Sequence, residues 1–491
     1  MKTFQDLQSV GDDWKARMNF IHALVEEYKS SETVKEAEIA FDYARKRNRT
    51  IVEYQKLLYT VSGKVVPDNY SANWKMRSNF LYRFITQEVQ YLLGNGVTWK
   101  KSDTAEKMGD NFEKQLQKAA KNALVGGVSF CFWNLDHMEV FKVTEFAPLY
   151  DENNSAMMAG VRFWQIDSGK PLRATLYELD GYTEYLWKHG EGQVLKQKTP
   201  YIIKLKTTKA DGTMIYDYDN YPTFPIVPFW GNESKQSELI GIREQIDCYD
   251  LIKSGFANDV DDASQIYWTI QNAGGMSDID LVKFVERMKT VRAAVVEGDD
   301  AKAEAHTIEV PYEAREKLLD RLSKDLYRDA MALDTERIVS GASTATQIKA
   351  SYEPLNVKTD EFEYCVLDFL DNILAVAGIN DEAPTFTRSA LINRAEEISN
   401  VLQCVNYLDP DYITQKTLTL LGDGDRAFDM IKKINSNPEL KELLLAQRAT
   451  RLEKKNAEDA AKANGNTESS GTLDKRRFNG GDFTRNKNQN D

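Results

Sequence analysis

Apolar residues recur at steps of three and four over most of the chain and at steps of two over one long internal stretch, and the change of period divides it. From 12 to 62, Trp14, Met18, Ile21, His22 and Val25, then Ile39, Tyr43, Ile51, Tyr54, Leu57 and Leu58, predict a helix-rich start. After the turn at 66–69, a helix is predicted over 79–93, closed by Gly94, Asn95 and Gly96 and followed by a short strand at 97–99. Another helix over 104–125 stops at Gly126 and Gly127, and strands follow at 128–135 and 138–145. From there to about 226 apolar and polar residues alternate, as in RATLYELDGYTEYLWKHG, which predicts an antiparallel sheet. Pro222, Pro225 and Pro228 exclude helix from 216–228 and mark a boundary.

The helical period then returns over 237–264, with Leu239, Ile242, Ile246, Tyr249, Ile252, Phe256 and Val260 as the apolar stripe. A mixed insert at 265–311 reads as strand 266–270, helix 277–288 and strands RAAVVEG and HTIEV. A second helix over 312–336 sets Leu318, Leu322, Leu326, Ala330 and Leu333 on one face, closing an antiparallel pair. The small, turn-prone RIVSGASTAT at 337–346 separates it from a helix over 345–377, which Pro354 should kink or break locally near Glu353. Helices at 394–404, 411–421 and 425–434 follow, and from 448 to 491 the polar, Gly/Asn-rich composition predicts a disordered tail.

Composition narrows the function. With 491 residues the chain has room for about three domains of ~100–200 residues each, and 42% hydrophobic residues suit a folded protein. A net charge of −13 opposes sequence-independent wrapping of DNA, which relies on clustered Lys and Arg. The basic run ARKRNR at 44–49 carries no interleaved aromatics and reads as a solvated helix face. Cys131, Cys248, Cys365 and Cys404 form no CxxC pair, in keeping with a reduced, intracellular protein. No signal-peptide h-region opens the chain and no run of ~18 apolar residues predicts a membrane span, so no membrane partner is expected.

Catalytic chemistry finds little support. Asp259, Asp261 and Asp262 suggest a cation site and, with it, a metal-dependent phosphodiesterase. Read as a calcium loop, however, they put Ser264 at the obligatory glycine and Ile270 at the bidentate glutamate. The four histidines are scattered, the glycines at 190 and 192 belong to a hairpin, and no P-loop or nucleophile elbow occurs. Neither a catalytic residue, a metal nor a cofactor is expected, and the acidic residues Glu244, Asp247, Asp259, Asp261 and Asp262 read as a solvated or channel-lining helix face.

The phrases NFLYRFITQEVQYLLGNGVTW (79–99), KNALVGGVSFCFWNLDHMEVFKVTEFAPLYDE (121–152), PIVPFWGNESKQSELIGIREQIDCYDLIKSGFANDVDD (225–262) and TATQIKASYEPLNVKTDEFE (344–363) resemble, in content and order, the portal proteins of siphophages of Gram-positive hosts. The resemblance implies an α+β portal fold. Its parts would be a wing at 1–236, stem helices at 237–264 and 312–334, a small α/β clip at 265–311 and a tunnel loop at 335–343. A kinked wing helix at 344–384 and a helical crown at 385–447 would follow. It further implies a homo-oligomeric ring, usually of about twelve subunits, at one capsid vertex of the virion, assembled in the host cytoplasm. Double-stranded DNA would pass through it, and the terminase large subunit, a head-completion adaptor and the major capsid and scaffolding proteins would be partners. On this reading Arg337, Ser340, Ser343 and Lys349 lie at the DNA channel, and Trp268, Phe284 and Arg287 at the adaptor-docking clip. A head-tail connector adaptor is the related alternative.

Overall fold

The computed structural model describes residues 2–59, 63–68, 71–101, 103–188, 190–208, 214–263, 267–271, 302–306, 311–336, 345–389, 401–404, 410–421 and 427–438, with a few isolated positions. The chain is a mixed α+β protein that divides into two compact units, Met1–Ala390 and Leu391–Asp491.

The first unit opens with α1 (Phe4–Ser9), α2 (Trp14–Lys29), α3 (Glu32–Ala44) and α4 (Arg49–Glu53). Asp13 and Ser31 start α2 and α3 by accepting the backbone N–H of Lys15 and Val34, donors that the first turn leaves unpaired. The stripe of Met18, Ile21, Leu24, Val25 and Tyr28 is buried, with the Tyr28 ring edge-on to Phe163 at 6.2 Å. A small sheet of β1 (Leu57–Tyr59) and β2 (Val65–Pro67) precedes α5 (Phe80–Leu93), β3 (Val97–Thr98), α6 (Thr104–Met108) and α7 (Phe112–Gly126). The single helix expected at 104–125 is therefore two, because the chain turns at Gly109 with φ +82°, a conformation a side chain disfavours.

At the end of α7, Gly127 (φ +83°) swings the chain into β4 (Val128–Asn134), and a Cβ there would stand 3.0 Å from the Lys235 carbonyl. Then come β5 (His137–Lys142), β6 (Phe146–Tyr150), β7 (Met157–Trp164), β8 (Leu172–Glu178), β9 (Gly181–Lys188), β10 (Glu191–Thr199), β11 (Ile202–Thr208), β12 (Met214–Asp219) and β13 (Ile226–Trp230). The period-two stretch folds as an antiparallel meander in the order β10-β9-β8-β7-β6, with β11-β12 as a separate hairpin and β13-β4-β5 as a three-stranded sheet. Phe130, Phe141 and Phe146 pack within one core that also takes buried residues of α2, α3, α5 and α7.

Helix α8 (Arg243–Ala263) follows a turn, β14 (Tyr267–Gln271) pairs antiparallel with β15 (Lys302–His306), and α9 (Tyr312–Asp329) returns alongside α8. Three expectations shift here. Residues 237–242 are turn rather than helix, because Ser237 Oγ accepts the Leu239 N–H and the Glu238 N–H bonds the Leu124 carbonyl. The strand pairing with 267–271 is 302–306, ahead of the expected HTIEV, whose residues 307–310 lie outside the described residues, as does RAAVVEG. Helix α9 ends at Asp329, not 336, in a left-handed Met331 (φ +52°) with the Ala332 N–H on the Tyr327 carbonyl.

The helical stretch expected over 345–377 is broken rather than kinked, into α10 (Ala345–Ser351) and α11 (Glu353–Val376), with the break at Tyr352 beside Glu353. Pro354 sits in the first turn of α11, where its missing N–H costs nothing. Phe369 of α11 stacks on Phe229 of β13 at 4.6 Å, and β16 (Thr385–Phe386) pairs with β3. In the second unit, α12 (Pro410–Leu421) and α13 (Ala427–Ser436) are joined by Asn435 Nδ2 donating to Asp411 Oδ2 at 2.9 Å, and Ile413 is buried. Of the tail predicted from 448 to 491, all but Thr450 lies outside the described residues.

Candidate functional site

The antiparallel pair α8 and α9 is the feature around which candidate residues gather. From Ile242, the last residue before α8, a buried line runs along the helix through Ile246, Asp250, Ser254 and Asn258, one residue in four. Its first two members join the apolar core. The last three meet an extended segment, 71–79, brought from far upstream.

Asp250 Oδ1 accepts the Ser78 N–H at 2.8 Å. Ser254 Oγ accepts the Met76 N–H at 2.9 Å and donates to the Met76 carbonyl at 3.3 Å. Asn258 accepts the Trp74 N–H at 2.6 Å and donates to the Trp74 carbonyl at 3.4 Å. The match is geometric: four helical residues rise ~6.0 Å and two extended residues ~6.6 Å, so every fourth side chain of α8 finds every second backbone unit. Ser254 and Asn258 thus act on the segment as a neighbouring strand would, satisfying both N–H and C=O. Asp250 can only accept, and its other oxygen takes Asn48 Nδ2. Burial raises its pKa, against the pull of the Asn48 and Ser78 hydrogen bonds.

The five acidic residues expected on one face do not act together. Glu244 is exposed in the first turn. Asp247 accepts from Tyr43 Oη and from Thr50 Oγ1 at 2.7 Å, with Arg243 Nε 3.8 Å away, so it ties α8 to the N-terminal helices. Asp259 forms an ion pair with Arg315 of α9, and Asp261 accepts Trp74 Nε1 at 3.2 Å. The Asp262 side chain lies outside the described residues. Asp259 and Asp261 therefore point to different partners, and among the described residues no three His, Cys, Asp or Glu side chains could hold a metal.

Of the other candidates, Lys349 is exposed on α10, and Trp268 lies in β14 opposite Ala305. Phe284, Arg287, Arg337, Ser340 and Ser343 lie outside the described residues. A cleft of about 770 Å³ beside α8 and α9 is lined by Arg77, Arg83, Lys253 and Lys324 and by Asp320, Asp334 and Glu336, so cations and carboxylates are mixed along it.

Sequence reasoning missed a buried charge cluster beside the helix pair. Lys358 of α11 lies 3.0 Å from Glu88 of α5 and 2.7 Å from Glu238 before α8, and its Nζ donates to the Ala330 carbonyl after α9 at 3.4 Å. One ammonium therefore joins four parts of the chain. Burial pushes the Glu88 carboxyl up to about 7, Lys358 opposing and Glu238 adding to the shift. Burial alone would lower the Lys358 pKa, but Glu88 and Glu238 hold it above its ordinary value. A signal existed: Lys358 falls on the Leu355, Phe362, Val366 stripe of α11, and Glu88 among Leu81, Phe84, Ile85 and Leu92 of α5.

A helix pair with a strand-paired insert, rooted in a mixed helical and sheet body, is the architecture that the sequence comparisons now assign to a class. Residues 14–419 match the family described as phage portal protein, SPP1 Gp6-like, and the chain belongs to that family of structural proteins. The portal protein of Bacillus phage SPP1 is 23% identical over 393 residues, covering 72% of this chain and 75% of that protein. The portal protein of Clostridium phage phiCD119 is 31% identical over 185 residues, 36% of this chain and 41% of that relative, so the match spans less than half of the clostridial protein. Among the described residues no helix is long and apolar enough to cross a membrane.

Proposed function

We propose that the chain assembles as a homo-oligomeric ring of about twelve copies at one capsid vertex, conducting double-stranded DNA during packaging and ejection. In this reading α8 and α9 are the stem, 265–311 the clip that docks the head-completion adaptor, 335–343 the tunnel loop, 1–236 with 344–384 the wing, and 385–447 the crown. The terminase large subunit docks on the ring as a separate motor, and capsid and scaffolding proteins surround it during assembly in the host cytoplasm. Arg337, Ser340, Ser343 and Lys349 are the proposed DNA-channel residues, and Trp268, Phe284 and Arg287 the adaptor contacts. The aspartates Asp259 and Asp261 support stem geometry rather than phosphodiester cleavage, since each is engaged by a different side chain.

The observation that carries this reading is the stem's distal half, where Val260, Tyr312 and Leu318 stay exposed on a pair of helices too slender to cover them. Neighbours in a ring would bury such surfaces. Negative-stain microscopy and mass photometry of the purified protein test it: closed rings are expected, and a stable monomer at assembly concentrations with scaffold present overturns it.

A further inference from the structure

Among the described residues the two most exposed aromatic side chains are Tyr364 of α11, at 74%, and Trp74, at 63%, and they sit among opposite charges. Trp74 is held rather than loose. Its N–H and carbonyl bond Asn258 at 2.6 and 3.4 Å, and its indole Nε1 donates to Asp261 Oδ2 at 3.2 Å. Every polar group of the residue is engaged by α8, yet its surface stays open, next to exposed Met76 and to Val52, whose carbonyl accepts Lys75 Nζ at 2.6 Å. The stretch 54–79 carries Lys56, Lys64, Lys75 and Arg77 against one acidic residue, Asp68, which is buried. On α11, Leu355, Phe362, Val366 and Phe369 pack inward, and the opposite stripe at steps of three and four is Glu353, Val357, Glu361, Tyr364, Asp368 and Asp371, all exposed. Lys358, the one cation of α11, is buried against Glu88 and Glu238, and Arg388 pairs with Asp360 and Glu363 on the flank, so the stripe itself is acidic.

An exposed aromatic pinned in place makes a binding anchor, since Trp and Tyr dominate contact energies and a side chain already fixed loses little freedom on binding. Charge decides what the anchor meets. Two basic Trp74 patches repel each other, and so do two acidic stripes, which disfavours a two-fold dimer through either face. Patch against stripe attracts and repeats head to tail, the kind of contact from which a ring is built. We propose that the Trp74 patch of one copy of this chain receives the Tyr364 stripe of the next, the cations of 56–77 meeting the carboxylates of α11. The interface rests on the ring reading and gives the ring a direction and a repeating contact.

Mass photometry of the full chain tests it with two charge reversals, Lys75→Glu with Arg77→Glu on the patch, and Asp368→Lys with Asp371→Lys on the stripe. Each variant alone sets like charges at every contact, and its ring fraction should fall about tenfold. An equimolar mixture should recover rings of alternating copies, because native stripe then meets native patch and reversed stripe meets reversed patch. Tyr364→Ser changes a mostly exposed side chain: it should keep the melting temperature within about 1 °C and lower the ring fraction about tenfold. Wild-type ring yield in either charge variant or in Tyr364→Ser overturns the interface, and so does failure of the mixture when both variants melt as the wild type does. If a reversal lowers the melting temperature, Tyr364→Ser decides alone. Wild-type protein that forms no rings overturns the ring reading and the interface with it, whereas wild-type rings with an indifferent variant overturn the interface alone.

Discussion

Two carboxylates, Glu88 and Glu238, share the buried Lys358 ammonium beside the α8–α9 pair, and the sign of the resulting pH dependence follows from the raised pKa values of Glu88 and Lys358. Glu88 sits at about 7, above the ordinary carboxylate value, so between pH 4.5 and 7 the native state binds more protons than the unfolded chain. Stability attributable to Glu88 therefore falls as pH rises through that window, by about 3 kcal/mol in all. Replacing Glu88 with Gln should flatten that part of a stability profile measured by urea unfolding at a series of pH values; an unaltered slope would exclude Glu88 as its source. Lys358 acts with the same sign in a more alkaline window: its raised pKa leaves its contribution intact through neutral pH, and that contribution is lost only as pH rises beyond the ordinary lysine value. Lys358→Met leaves two carboxylates facing each other without a counter-charge and should cost about 3–5 kcal/mol in the same assay. The sequence carried the positions of these residues on apolar stripes. Their mutual proximity was not legible, because Glu88, Glu238 and Lys358 meet only once α5, the pre-α8 turn and α11 have packed.

At the scale of elements, the α8–α9 pair shows where periodicity informs and where it misleads. Leu239, Ile242 and Ile246 on one side and Leu326, Ala330 and Leu333 on the other are buried as their spacing indicates. Beyond Ile246 the apolar stripe was read on through Ile252, Phe256 and Val260, yet Val260 is 52% exposed and the buried line runs through Asp250, Ser254 and Asn258. Local pattern assigns polar residues to solvent. Here they are buried because a backbone segment from some 180 residues upstream supplies their hydrogen bonds, a pairing that no window of the sequence contains. The amides of Trp74, Met76 and Ser78 should exchange slowest within 71–79, and Asn258→Ala should speed exchange at Trp74 first and cost about 1–3 kcal/mol by leaving a polar backbone group unpaired. Hydrogen exchange resolved by residue checks both. The broad division into helical start, antiparallel sheet, helix pair and post-loop helix was readable, since each rests on contacts within one element or between sequential strands. Gly109 and Met331, where a left-handed backbone redirects the chain, shifted the boundaries.

For the whole molecule, the exposed apolar residues of α8 and α9 test whether folding and the proposed ring assembly are separable. Val260→Asp combined with Leu318→Asp should leave the monomer's melting temperature within about 1 °C, as surface changes of small energetic effect do, while lowering the ring fraction seen by mass photometry. Rings at the wild-type yield would remove this face from the interface. The hydrogen-bonded ladder between α8 and 74–78 also bears on how the α8–α9 pair can change in length. One residue inserted between Asp250 and Asn258 would turn every later side chain by ~100° about the helix axis and carry Asn258 away from Trp74. Residues added beyond Asn258 disturb none of the three rungs. The α8–α9 pair can therefore grow or shrink only beyond Asn258, and variants of different reach should share the same root and differ past that residue.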